Sequence, residues 1–95
     1  MNTVEGLVER LQDPRAHVRR RSAEALGKIG PAAADAVPAL AELLKDPNAD
    51  VRFEAAEALG EIGPAAAPAL SEALKDPDRR VREAAAGSHR SITGE

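Results

Sequence analysis

Residues 46–63 read DPNADVRFEAAEALGEIG, and residues 13–30 read DPRAHVRRRSAEALGKIG. A weaker third statement follows, because Asp-Pro recurs at Asp76-Pro77. Five positions after each Asp stands Val-Arg, at Val18-Arg19, Val51-Arg52 and Val81-Arg82. Asp13 to Asp46 spans 33 residues and Asp46 to Asp76 spans 30. Upstream of each turn lies a second related segment: TVEGLVERLQ, AVPALAELLK and AAPALSEALK. Self-similarity at a fixed period of this length marks an array of supersecondary units. The units are residues 1–30, 31–63 and 64–95, together one domain.

Both halves of the unit carry helical periodicity. Val4, Leu7, Val8 and Leu11 fall at i, i+3, i+4 and i+7, a single apolar stripe. Val37, Leu40, Ala41 and Leu44 repeat it, as do Ala67, Leu70 and Leu74. In the second helix of unit two the stripe is Val51, Ala55, Ala58, Leu59 and Ile62. Unit one matches it with Val18, Ser22, Ala25, Leu26 and Ile29. Asp before Pro predicts an N-cap carboxylate with proline at the first helical position. Gly30-Pro31 and Gly63-Pro64 are expected to end the second helices, since glycine adopts positive φ and proline cannot continue a helix. Pro38 fits either the first turn of a helix capped by Asp35 or a kink in one that begins at Ala32. Gly27 and Gly60 stand at equivalent mid-helix positions, each costing about 1 kcal/mol relative to alanine. They are expected to relieve a contact between helices or to loosen the final turn.

Composition narrows the function. The apolar fraction is 43%, mostly Ala, Leu and Val, with one Phe and no Trp or Tyr. Burying alanine contributes far less than the roughly 1.5–3 kcal/mol of a large side chain, so backbones must pack closely. With no cysteine, disulfides and thiolate metal sites are excluded. Net charge is −3 and unit two interposes Glu54, Glu57 and Glu61 between two basic patches, Arg15 with Arg19 to Arg21 and Arg79 with Arg80 and Arg82. Nucleic-acid binding, which needs a continuous basic track and stacking aromatics, is therefore not expected. The N-terminus carries no secretory pattern, and no run approaches the roughly 20 apolar residues of a membrane span. The expected location is cytoplasmic.

The pattern DPxxxVRxxAAxALGxIG followed by AVPALxxLLKD resembles the HEAT repeat, in the short variety associated with phycobilisome lyases. The resemblance covers nearly the whole chain. Unit three departs from it, with Gly87, Ser88 and His89 where unit two has Glu57, Ala58 and Leu59, and with Thr93 in place of the final glycine. That departure reads as an end cap with a polar outer face, or as a tail foreign to the repeat. The resemblance implies an all-α fold, a right-handed α-solenoid of three helical hairpins with the second helices lining the concave face. It also implies a ladder in which Asp13/Arg19, Asp46/Arg52 and Asp76/Arg82 tie neighbouring units together. Exposed pairs of that kind contribute about 0–1 kcal/mol each. Iron-binding members of the HEAT class use adjacent His-Glu pairs, and neither His17 nor His89 stands in one.

No catalytic, metal or cofactor constellation is read from the sequence, so the expectation is a protein without enzymatic activity. Its partner would be a protein or peptide laid across the concave face. On a helical wheel Phe53 points about 180° from the core direction, with Arg20 and Glu83 at its equivalent places and Glu57 beside it. These four residues form the candidate binding site, Phe53 as its aromatic anchor. The leading expectation is a non-catalytic interaction module or scaffold fragment. The alternatives are a self-assembling or engineered repeat unit, with self-association through the ends of the stack, and an accessory subunit of a bilin-lyase-like enzyme.

Overall fold

The computed structural model describes residues 3–93, with side-chain surroundings through Ser88. Six α-helices follow in order: α1 (Val4–Arg10), α2 (Ala16–Ile29), α3 (Val37–Leu43), α4 (Ala49–Ile62), α5 (Ala67–Ala73) and α6 (Arg79–Thr93). There is no strand among the described residues. Short and long helices alternate as hairpins, and the hairpins stack into an α-solenoid with α2, α4 and α6 side by side. The stack is flat, with principal extents of 37 × 27 × 16 Å.

The turn chemistry differs from the sequence expectation. The Asp-Pro carboxylates are not N-caps. Asp13, Asp46 and Asp76 instead accept the backbone N–H two residues on, from Arg15 at 2.8 Å, Asn48 at 2.9 Å and Asp78 at 2.8 Å. Each closes an Asx-turn that ends just before the long helix. The helix that follows is capped by the next polar residue where one is available. Asn48 Oδ1 accepts from the N–H groups of Asp50 and Val51, and Asp78 Oδ1 from that of Arg80. Arg15, at the same place, gives α2 no side-chain cap.

Gly30 and Gly63 terminate α2 and α4 with φ 76° and 110° and ψ near −146° and −148°. That region is essentially closed to residues with a Cβ. Beyond each glycine the chain runs through 3₁₀ structure, Gly30–Ala36 in unit two and Pro64–Ala66 in unit three. The longer segment absorbs the three extra residues of unit two, and Pro38 lies in the first turn of α3 without kinking it. Asp35 makes no cap there.

The core is a row of small and medium side chains. Leu26, Leu40, Leu59, Leu70 and Val81 are fully buried, and so are Ala23, Ala55, Ala56, Ala58 and Ala85. The first-helix stripes are rotated slightly from expectation. Leu43 and Ala73 are buried where Leu44 is half-buried and Leu74 is exposed. α4 is buried on two sides because it packs against both α2 and α6. Gly27 and Gly60 mark close approaches between the long helices. A Cβ on Gly27 would stand 2.9 Å from the Ala58 Cα and against the Glu61 carboxylate. One on Gly60 would meet the Ser88 side chain. The glycines relieve contacts between helices, which offsets their unfavourable helix propensity.

Candidate functional site

The Asp–Arg ladder is the most regular polar feature, and its pairs cross from one unit to the next. Arg19 donates to Asp46 from Nε at 2.7 Å and Nη2 at 3.3 Å. Arg52 does the same to Asp76 at 3.0 and 3.5 Å. Nη1 of each arginine meanwhile holds the carbonyl oxygen of its own unit's aspartate, Asp13 for Arg19 and Asp46 for Arg52, both at 2.7 Å. Arg82 donates likewise to the Asp76 carbonyl at 2.8 Å. These are not surface pairs: the arginine side chains are 15% exposed and the aspartates 6–7%. Charge-assisted, two-point pairing in so little water fixes the angle between units. The described residues leave no buried side-chain nitrogen or oxygen without a partner.

On the open face of α2, α4 and α6, Phe53 is half-buried and packs against the core, not on an exposed row. Its ring is covered by the Arg80 guanidinium, 5.9 Å from the ring centroid. Arg80 in turn pairs with Asp50 at 3.0 Å. Arg20 lines a separate depression of about 230 Å³ with His17 and Asp50. Glu57 and Glu83, by contrast, come together. With Glu61 they rim a groove of about 380 Å³ between α4 and α6, floored by Gly60 and Ser88.

The face is dominated by carboxylates. Burial pushes the Glu54 carboxyl upward, and repulsion from Glu24, Glu57 and Glu61 adds to the shift while Arg20 opposes it. Glu24 and Glu57 occupy the same place in successive units, so the acidity is itself repeated. That signal stands in the sequence, where Glu54, Glu57 and Glu61 serve only to interrupt the basic patches. At the edge of the stack, the hydrogen bond from the Arg15 side chain holds the Asp13 carboxyl at about 2.

Comparison with solved structures finds human deoxyhypusine hydroxylase in complex with glycerol. The TM-score is 0.84 and the identity 37%, over 97% of this chain and 32% of that one. The chain thus spans about a third of the length of the solved hydroxylase. No curated protein sequence matches it. This likeness overturns two expectations: a non-catalytic interaction module or scaffold fragment, and a protein without enzymatic activity. Both rested on finding no catalytic constellation within 95 residues, a criterion that fails when related repeats form part of a longer enzyme. The residues present do not fit the iron-binding pattern of adjacent His-Glu pairs. Val18 follows His17 and Arg90 follows His89, whose side chain lies outside the described residues. Among the described residues no three His, Cys, Asp or Glu side chains are placed to hold a metal ion.

No described helix is long and apolar enough to cross a membrane. The profile of the HEAT-repeat family matches residues 4–89, nearly the whole of the described stack. With that match and the repeated hairpins in place, the chain belongs to the HEAT-repeat family.

Proposed function

We propose that this chain serves a helical-repeat enzyme of the deoxyhypusine hydroxylase kind, as the repeat section that receives the deoxyhypusine substrate. The carrying observation is the 37% identity to that hydroxylase across 97% of the chain. The acidic face supports the reading. The deoxyhypusine side chain carries amino groups, and a cationic side chain is matched by Glu54, Glu57, Glu61 and Glu83 around one groove and its border. Carboxylates on low-dielectric walls raise the local concentration of such a substrate and orient its ammonium groups.

Within this proposal Glu57 and Glu83 contact the substrate chain at the groove. Phe53 and Arg20 border the docking surface on either side of the shared Asp50. The rungs Arg19–Asp46 and Arg52–Asp76 hold these helices at a fixed spacing. The cytoplasmic location expected of a cysteine-free chain belongs to the same proposal, as does the short repeat variety, which rests on the 33- and 30-residue spacings.

The test has two arms. A deoxyhypusine-bearing peptide should bind the purified chain, and binding should weaken with added salt and with Glu57→Gln/Glu83→Gln. In extracts of cells that make the chain, mass spectrometry should find the peptide heavier by one oxygen atom, and deleting the chain should abolish that product. A peptide that binds no better than its acetylated control, together with a product that survives the deletion, would remove the reading.

A further inference from the structure

Among the described residues the ladder is complete inside the stack and open at both of its faces. Each interior arginine is fixed by Nη1 on its own unit's aspartate carbonyl, which leaves Nε and Nη2 aimed at the next unit's carboxylate. Arg82 repeats the first half of that arrangement, with Nη1 on the carbonyls of Asp76 at 2.8 Å and Pro77 at 3.0 Å. No carboxylate among the described residues meets its remaining donors. On the opposite face Asp13 meets no arginine of another unit among the described residues. Its oxygens are taken by Arg15 of its own unit, from Nε at 2.9 Å and Nη2 at 3.0 Å. Units two and three have Asn48 and Asp78 at that place.

The apolar surface is open in the same two directions. Ile29 is 37% exposed, whereas Ile62, one unit on, is 2% exposed beneath its neighbour. Leu74 is 37% exposed, whereas Leu11 at the equivalent position is 3% exposed. These are the two exposed large hydrophobic residues of the described chain, one on each end face. Charge follows the same register. The position of Phe53 is held by Glu83 in unit three, and that of Arg80 by His17 in unit one. A unit-one face set on a unit-three face therefore brings Glu83 to His17 and Arg82 to Asp13.

We propose that a second copy of this chain stacks head to tail, its first unit on the third unit of its neighbour, with Arg82 completing a rung on Asp13. The contact is heterologous, so the outer faces of a pair remain as open as those of one molecule and growth does not close. Arg15 acts as an internal competitor, holding Asp13 until Arg82 of the neighbour displaces it.

Sedimentation equilibrium from micromolar to millimolar concentration tests this, with circular dichroism to confirm that every variant stays helical. The weight-average mass of the unaltered chain should climb without a plateau. Arg82→Ala should weaken association roughly tenfold or more. Arg15→Asn, which copies unit two and frees Asp13, should strengthen it. Arg82→Asp and Asp13→Arg should each stay monomeric alone and assemble when mixed, because every contact in the mixture again pairs an aspartate with an arginine. A mass that saturates at two copies shows face-to-face pairing and overturns the head-to-tail arrangement. An unchanged mass profile in Arg82→Ala overturns it as well, as does a mixture of charge-reversed chains that remains monomeric.

Discussion

The two junctions between long helices are built on one backbone plan and filled with different chemistry. Where α2 meets α4, Gly27 lies on Ala58 and the open edge sets Glu24 near Glu54, acid against acid. Where α4 meets α6, Gly60 lies on Ser88 and the open edge is bridged, Arg80 reaching Asp50 and covering Phe53. Both junctions share an interior Arg–Asp rung of the same geometry. The comparison separates what builds the stack from what decorates it. Alanines, glycines and rungs recur and set the spacing. The edge residues vary and are available for binding.

The largest effects are expected at the rungs. Arg52→Ala leaves the nearly buried Asp76 carboxylate with only the Asp78 N–H, and Arg19→Ala does the same to Asp46. Stranding a charge in so little water costs about 3 kcal/mol. Urea unfolding should show similar losses at both junctions, and a near-zero loss at either would show that its rung is dispensable. Next comes the tight contact. Gly27→Val must move the Ala58 backbone, and overpacking of that kind costs about 2 kcal/mol. Gly60→Ala meets only the Ser88 side chain, so the double variant Gly60→Ala/Ser88→Gly should recover most of its smaller loss.

The edges should respond more gently. Arg80→Ala removes two exposed ion pairs, to Asp50 and Asp78, and the cover of Phe53, and should lower the urea midpoint slightly while making the second junction more susceptible to proteolysis. The smallest effect has the opposite sign. Folding raises the Glu54 carboxyl above its ordinary value, chiefly by burial. The folded state then binds that proton more tightly than the unfolded chain, so the ionised group costs stability at neutral pH. Glu54→Gln should therefore stabilise at pH 7 by about a few tenths of a kcal/mol, given how much solvent the group retains. The gain should fade as pH falls through the raised folded value and vanish below the ordinary glutamate range.

Much of the stack was legible in the sequence, because Asp-Pro, Val-Arg and the alanine stripe recur in phase. Two misreadings share a physical cause. The wheel for α4 took Val51, Ala55, Ala58 and Ile62 as the only core direction. A helix inside a stack has a neighbour on each flank, so the opposite side carried Phe53 toward α6 and under Arg80 instead of into solvent. The same two-sidedness explains Ile29 and Leu74. Each follows the apolar pattern, yet each is exposed because no described unit covers it as one covers its equivalent. Asp-Pro read as a cap because the motif fixes a turn but not how many residues follow before the helix begins. The repeat register brought Glu57 and Glu83 into one candidate site, but the groove they rim with Glu61 over Gly60 and Ser88 was out of reach, since it depends on how closely α4 and α6 approach.

Asp46 joins three tasks in one residue: its carboxylate closes its own turn and receives Arg19, while its carbonyl receives Arg52. Shaping the loop is thereby inseparable from docking the hairpins on either side of it. Repeat arrays can in principle melt one unit at a time. Here hydrogen exchange should instead find α2 and α4 opening together, as a single cooperative block with a common protection factor.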